Sequence, residues 1–167
     1  MAETGNVIDY VMECDAPFPI APFIQRGCLA MDSLGLRRCR LSLVLTGDEH
    51  IRTLNRRWRH KDSATDVLSF PMFEPGSVET VEETIGDIVI SMDTAALQAS
   101  ERKHTVESEV TILFVHGLCH LMGHAHGNAE DAERMAKLEN ALVCVMNGGQ
   151  SGLNTGLVQA TIGARDV

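Results

Sequence analysis

The 167-residue chain is predicted to form a single α+β domain, in which a mixed four-stranded sheet packs against about five helices. Two observations support this fold class. Strand-like segments are mixed with helix-like segments along the chain, which begins with an adjacent strand–helix–strand unit. The chain is also long enough, and at 44% hydrophobic residues apolar enough, to bury one substantial core.

The first half of the chain contains two strand-like and two helix-like segments. In order, these begin with a strand at residues 5–13, a helix at 21–34 that Gly35 ends, and a strand at 38–46. Thr46 and Glu49 have the spacing of a capping box, which predicts a second helix that runs to about Arg57.

The second half is predicted to hold two strands followed by three helices. The strands lie at residues 67–70, before Pro71, and at 85–91, with a mobile acidic loop at 72–84 between them. The side chains of Ser91, Thr105 and Asn128 are expected to cap the three helices, which end near Lys103, near Gly123 and near Met146. The domain therefore spans residues 1–146, and the glycine-rich residues 147–167 are predicted to form a flexible C-terminal extension.

The net charge of −9 would ordinarily argue against a nucleic-acid partner. The charge is unevenly distributed, however, because residues 26–61 hold nine of the 14 basic residues and only three acidic ones, a net charge of +6. This segment is either a local patch that binds phosphates on an acidic protein or a solvated helix face.

Two features bear on the cellular compartment. No apolar run approaches the length of a membrane span, and the acidic N-terminal residues resemble neither a signal peptide nor a transit peptide. The five cysteines include no Cys-x-x-Cys pair, which indicates reduced thiols. We therefore expect a cytoplasmic protein, or one of an organelle matrix or stroma if a presequence has been removed.

The stretch HGLCHLMGHAH at residues 116–126 predicts a metal site. His116 and His120 are four residues apart and therefore share one face of a helix. Gly123 can end that helix, so that the chain turns and brings His126 to the same ion. Three protein ligands leave a coordination position open, as in catalytic zinc sites, although nickel, cobalt and copper bind such sites too. His124 can replace His126, add a fourth ligand or lie behind the ligands.

The helix that carries these histidines is predicted to be central and buried, with Cys119 as a core residue. The histidine spacing equals that of the long zinc-protease motif, but Gly117 stands where those proteases have their catalytic glutamate. This difference argues against peptide hydrolysis by that route.

Three segments together resemble the YbeY family: residues 54–71 (LNRRWRHKDSATDVLSFP), 85–91 (IGDIVIS) and 116–126. The resemblance covers about residues 38–146. It implies a metal-dependent, single-strand-specific endoribonuclease that acts in ribosomal RNA maturation, notably at the 3′ end of the small-subunit RNA, and in ribosome quality control. It also implies, as partners, the small ribosomal subunit and possible contacts with a small-subunit ribosomal protein and an assembly GTPase, and no membrane.

Carried over residue by residue, the resemblance implies four catalytic residues, of which three bind one zinc ion per chain. The zinc ligands fall on His116, His120 and His126, and the family's functionally important arginine falls on Arg59, which is expected to clamp the scissile phosphate. The chain departs from the family pattern at four positions, none of them a metal ligand: Ala64, Cys119, His124 and Ala125.

Two other functions are compatible with these motifs. The chain can be a zinc hydrolase of another substrate, including a protease, against which Gly117 argues. It can also be a non-catalytic ribosome-assembly factor in which zinc stabilises the fold.

Several further side chains are open to a structural or a functional interpretation. Trp58 can stack on an RNA base, although packing at the end of its helix is the favoured interpretation. Asp87 either supports a metal ligand or has a structural role, and Asp66 is expected to cap or orient its loop. In the last helix, Met135 is predicted to lie in the core and Glu139 on a polar face. The remaining histidines are predicted to be surface residues: His50, His60 and His104.

Overall fold

A computed structural model describes residues 5–73 and 83–149 of the chain. Its elements, in chain order, are β1 (Val7–Met12), α1 (Ile20–Ser33), β2 (Arg40–Thr46), α2 (Asp48–Arg59), β3 (Val67–Pro71), β4 (Thr84–Ser91), α3 (Met92–Arg102), α4 (Val106–Leu121) and α5 (Ala129–Met146). The predicted strands and helices are therefore all present, with small shifts at their ends.

The four strands form one sheet in the order β1–β2–β4–β3. β1, β2 and β4 are parallel to one another, and β3 is antiparallel to β4. The sheet is mixed and four-stranded, and five helices accompany it, so the predicted fold class is confirmed.

The two faces of the sheet bury different sets of side chains. Leu43 and Leu45 of β2 lie beside Ile88 and Ile90 of β4, and these residues belong to the main core with α1, α4 and α5. On the opposite face, α2 contributes to a smaller cluster formed by Ile51, Leu68 and Val89. The sheet therefore separates the basic helix α2 from the helix that carries the histidines.

α4 is the most deeply buried helix, as the sequence predicts. Every residue from Glu109 to Cys119 is buried, and the helix packs against β3, β4, α3 and α5. A helix that is apolar on nearly all sides requires neighbours all round it. Any polar side chain on α4 is consequently held in a rigid setting.

Three of the four predicted helix caps are present. Ser91, Thr105 and Asn128 precede α3, α4 and α5, and each side chain accepts a hydrogen bond from a backbone amide three residues later. Each bond satisfies one of the amide groups that a helix leaves unpaired at its first turn.

The capping box predicted at Thr46 and Glu49 is wrong. α2 begins after Gly47, which has no side chain to act as a cap. Thr46 instead ends β2, and its hydroxyl donates to Oε2 of Glu13 at 2.7 Å, the same oxygen that lies 2.7 Å from Nδ1 of His50. The hydroxyl joins the ends of two parallel strands, and Gly47 stands between Thr46 and the helix, so Thr46 does not occupy the capping position.

Two predicted segments fall largely or partly outside the described residues: the acidic loop at 72–84 and the extension at 147–167. Both remain predictions, as do the domain bounds. Within the part of the chain that is described, none of the helices combines the length and apolar character needed to cross a membrane.

Candidate metal centre

Two of the three motif histidines lie one turn apart near the end of α4. The Nε2 atoms of His116 and His120 are 3.2 Å apart. Two nitrogens that bind one tetrahedral zinc ion at ~2.0–2.1 Å lie about 3.3 Å apart, so this spacing suits a shared ion. A hydrogen bond alone would explain the distance only if one of the two rings kept a proton on Nε2.

The chain reverses directly after α4 and brings the third histidine back. Gly123 has a φ of 90°, a conformation that side chains other than glycine rarely adopt, and the amide of His124 donates to the carbonyl of Cys119 at 3.1 Å. The ring of His126 then lies 5.3 Å from that of His116 and 5.0 Å from that of His120, measured between centroids.

The three histidines form a group whose ligand atoms all lie within 4.8 Å of one another. Nε2 of His126 is buried and, among the residues that the structure describes, has no hydrogen-bond partner. Buried polar atoms are almost always paired, so this nitrogen fits a metal ion as its missing partner. His124 does not belong to the group, in line with the preference for His126 in the sequence.

The surroundings keep His120 in the protonation state that binds metals. Burial, followed by repulsion from His116 and His126 and a smaller effect of Arg59, lowers the pKa of His120 from 6.5 to about 3. The imidazole of His120 is therefore neutral at pH 7, with a lone pair available to a cation.

A buried carboxylate from α5 orients the first histidine. Nδ1–H of His116 donates to Oε1 of Glu139 at 2.8 Å, and both side chains are almost fully buried. Because Nδ1 carries the proton, Nε2 is the nitrogen that faces the other histidines. The prediction that Glu139 lies on a polar face is wrong. Its four-residue spacing from Met135 and Val143, both buried, was the signal that placed it on the inner face of α5.

Gly117, the residue that replaces the protease glutamate, lies where α4 crosses β4. A Cβ atom at this position would come within 3.1 Å of Cγ2 of Ile88. Ile88 is itself fully buried and has little room to move. The helix face after His116 is thus closed by the sheet, and a glutamate base has no space there.

Arg59 reaches the same region from the end of α2. Its Nη2 donates to the backbone carbonyl of Ser69 in β3 at 2.8 Å, and its guanidinium carbon lies 5.7 Å from the centroid of the Phe70 ring. β3 packs against α4, and the charge of Arg59 contributes to the lowered pKa of His120. Arg59 therefore lies close enough to the cluster to affect His120 electrostatically.

Two other predicted residues have well-defined partners. The carboxylate of Asp66 accepts from the amide of Val67 at 2.8 Å and from the Gln98 side chain at 3.1 Å, so it orients the start of β3. Trp58 is 57% exposed and meets Phe70 only at an angle, so packing at the end of α2 accounts for only part of its surface.

His104 corrects a prediction, because it is not a surface residue. Its side chain is only 12% exposed and bonds at 2.6 Å to Glu109, a fully buried carboxylate of α4 that also binds Arg102. Glu109 lies one turn into an otherwise apolar helix and needs these partners. His50 and His60 are exposed, as predicted.

The fold and the site together define an α+β protein with a candidate three-histidine metal centre on its central helix. A family model described as "Endoribonuclease YbeY" matches residues 25–147, which is most of the chain. The chain therefore belongs to the endoribonuclease YbeY family, as the resemblance in the sequence suggested.

Individual relatives agree with this assignment. "Endoribonuclease YbeY" of Thermus thermophilus is 39% identical over 140 residues, which cover 83% of this chain and all of the relative. The protein of the same name from Aquifex aeolicus is 46% identical over 113 residues, covering 67% and 73% of the two chains. The solution structure of TM1509 from Thermotoga maritima has a TM-score of 0.62 at 22% identity and covers 84% of this chain and 89% of its own, a likeness in fold alone.

Proposed function

We propose that this protein is a zinc-dependent, single-strand-specific endoribonuclease that acts in maturation of the 3′ end of small-subunit ribosomal RNA and in ribosome quality control. The observation that carries the proposal is the cluster of three converging histidines, of which His120 lies within electrostatic reach of Arg59. Membership of a family named for endoribonuclease activity supports the choice of RNA as substrate.

His116, His120 and His126 would hold one zinc ion per chain, and Glu139 would fix the tautomer of the first. A bound zinc ion supplies a Lewis acid and makes water nucleophilic at neutral pH. Arg59 would bind the scissile phosphate through paired N–H donors and stabilise the negative charge that develops on it. Its bond to the Ser69 carbonyl holds the guanidinium in place before RNA arrives.

The proposed setting follows from the family resemblance. The partners would be single-stranded ribosomal RNA and the small ribosomal subunit, with a small-subunit ribosomal protein and an assembly GTPase as further contacts. The proposed location is the cytoplasm, or an organelle matrix or stroma if a presequence is removed.

The decisive experiment compares His120→Ala with His124→Ala, because the two histidines are close in sequence but only His120 belongs to the cluster. Both variants and the wild type are purified in parallel, and metal content and cleavage of single-stranded RNA are measured on the same samples. We expect about one metal ion per chain and full cleavage for wild type and His124→Ala. We expect neither for His120→Ala.

Equal cleavage by all three preparations would mean that the activity does not come from this centre. Two results together would favour the non-catalytic assembly factor. The wild type would bind metal but fail to cut RNA, and His120→Ala would lose both its metal and its folded structure. Cleavage of a peptide library that chelation abolishes would favour a zinc protease, which the closed surface at Gly117 argues against.

The role of Arg59 has its own test. We expect Arg59→Ala to lower kcat/KM for RNA about 100-fold or more, the usual cost of removing one charge-stabilising donor, while metal content stays unchanged. Arg59→Lys should restore only part of the rate, since lysine lacks the paired donors. The control is Arg40→Ala, an exposed arginine that pairs with Asp9 at the other end of the sheet order. An Arg59→Ala variant with full rate and RNA affinity would exclude the phosphate clamp.

A further inference from the structure

The end of α2 presents an aromatic ring to solvent. Trp58, the single tryptophan of the chain, is 57% exposed. The guanidinium carbon of Arg57 lies 5.2 Å from the centroid of its ring, and the Phe70 ring meets it at 67° with centroids 6.5 Å apart. The indole is therefore supported by two neighbours while more than half of the residue remains open.

The surface around this ring is positively charged. The basic residues of α2 and the turn after it are Arg52, Arg56, Arg57, Arg59 and Lys61. Arg52 donates to Asp62 at 2.9 Å, and this carboxylate also lies 3.9 Å from Arg56. Three acidic residues, Asp48, Glu49 and Asp62, accompany the five basic ones, so this segment has a net charge of +2 on a protein whose overall charge is −9.

Although α2 and α4 lie on opposite faces of the sheet, contacts through the edge strand β3 link this surface to the candidate metal centre. Phe70 contacts both Trp58 and Arg59, and Arg59 is bonded to the neighbouring Ser69 of β3. β3 packs in turn against α4, which carries two of the three histidines. A chain whose phosphate binds Arg59 thus has its adjacent nucleotides next to the indole ring.

We propose that Trp58, backed by Arg57 and Phe70, is a platform on which a base of single-stranded RNA stacks beside the cleavage site. The inference rests on the proposed function and names how its substrate is held. An exposed aromatic ring within a basic surface is the usual means of binding single strands without regard to sequence, because every base has a flat face. Bases inside a duplex are already stacked, so this platform also selects unpaired RNA.

The lone tryptophan provides a direct readout, because stacking on a base quenches indole fluorescence. The full-length protein is titrated with a short 2′-O-methyl RNA strand whose length is verified afterwards, and with an abasic phosphodiester strand of equal charge. We expect the RNA to quench the emission and the abasic strand to bind without quenching it. Unchanged emission at saturating RNA would overturn the proposal. The exposed ring would then be a contact for a protein partner.

Affinity measurements on variants provide the second arm. We expect Trp58→Ala to weaken binding of the labelled RNA about 5-fold or more, and Trp58→Phe to stay close to wild type. The matched control is Leu97→Ala, which removes an apolar side chain that is 61% exposed from a different helix, α3. Equal affinity of Trp58→Ala and wild type would overturn the platform even if the fluorescence changed.

The outcomes separate this inference from the proposed function. Suppose that RNA quenches the wild-type fluorescence and that Trp58→Ala binds RNA more weakly, but that the wild type does not cut RNA. This result would support the platform and refute the nuclease. Metal-dependent cleavage with unaltered RNA affinity in Trp58→Ala would support the nuclease and refute the platform.

Discussion

At the scale of single residues, one buried carboxylate decides which nitrogen of His116 is available to an ion. The carboxylate of Glu139 accepts a hydrogen bond from Nδ1–H of His116 at 2.8 Å. The imidazole ring therefore cannot turn or change tautomer without losing a buried hydrogen bond. The cost of such a loss is about 1–3 kcal/mol, which is ample to fix one arrangement. The ion binds a histidine that is already oriented.

We therefore expect Glu139→Gln to lower zinc affinity about 10- to 100-fold, since the neutral amide is a weaker acceptor for the ligand histidine. Zinc affinity is measured by competition with a chelating dye, and thermal unfolding of the metal-free protein is measured alongside it. The matched control is Glu133→Gln, an exposed position on the same helix. Equal zinc affinity in Glu139→Gln and Glu133→Gln would show that the carboxylate serves only the core.

The three histidines could be grouped from sequence because their spacing is local. A separation of four residues defines one helix face, and Gly123 indicates where the chain turns back. The hydrogen bond between Glu139 and His116 could not be predicted in this way, because the two residues are 23 positions apart and the contact exists only when α5 packs on α4. The burial of His104 was not predicted for a related reason, because it depends on the contact with Glu109 of α4.

At the scale of elements, Gly86 sets how closely β3, β4 and α4 approach one another. It has a φ of 148°, and a Cβ atom there would lie 2.4 Å from the carbonyl oxygen of Phe70 and 2.8 Å from Cδ2 of Leu121. The pairing of β2 and β4 is also irregular next to this residue. Glycine is thus required where the last turn of α4 meets β3, the strand whose Ser69 carbonyl accepts a hydrogen bond from Arg59.

We expect Gly86→Ala to lower the free energy of unfolding by about 3 kcal/mol, because both the backbone conformation and the contact with a carbonyl are unfavourable for alanine. Denaturant unfolding followed by circular dichroism measures the change. Gly5→Ala is the control, since a Cβ atom there meets nothing within 4 Å. An equal, small effect at both positions would refute the close approach.

Helix starts were predictable where a cap residue directly precedes the helix and its side-chain oxygen can accept a hydrogen bond from an amide of the first turn. Ser91, Thr105 and Asn128 meet this condition and each caps its helix. Thr46 has the same side-chain chemistry but lies within β2, where its hydroxyl donates a hydrogen bond to Glu13. The local pattern was equally good in both cases, and only the sheet distinguishes them.

At the scale of the whole molecule, the number of strands was predictable but their order was not. β4 lies between β2 and β3, so the chain crosses from an inner strand to the edge and back. Hydrophobic periodicity reports which residues are buried and carries no information about neighbours within a sheet. The separation of charge was visible in sequence, whereas the position of the basic segment beside β3 required the fold.

The burial of α4 from Glu109 to Cys119 has a consequence for the order in which the protein matures. Synthesis proceeds from the N terminus, so α4 emerges from the ribosome before α5 does. Until residues 129–146 follow, the apolar residues that α5 covers are bare and His116 lacks the carboxylate that orients it. A nascent chain interrupted before α5 therefore carries all three histidines without a finished centre, and the nuclease proposed here can arise only in a chain whose translation has continued through that last helix.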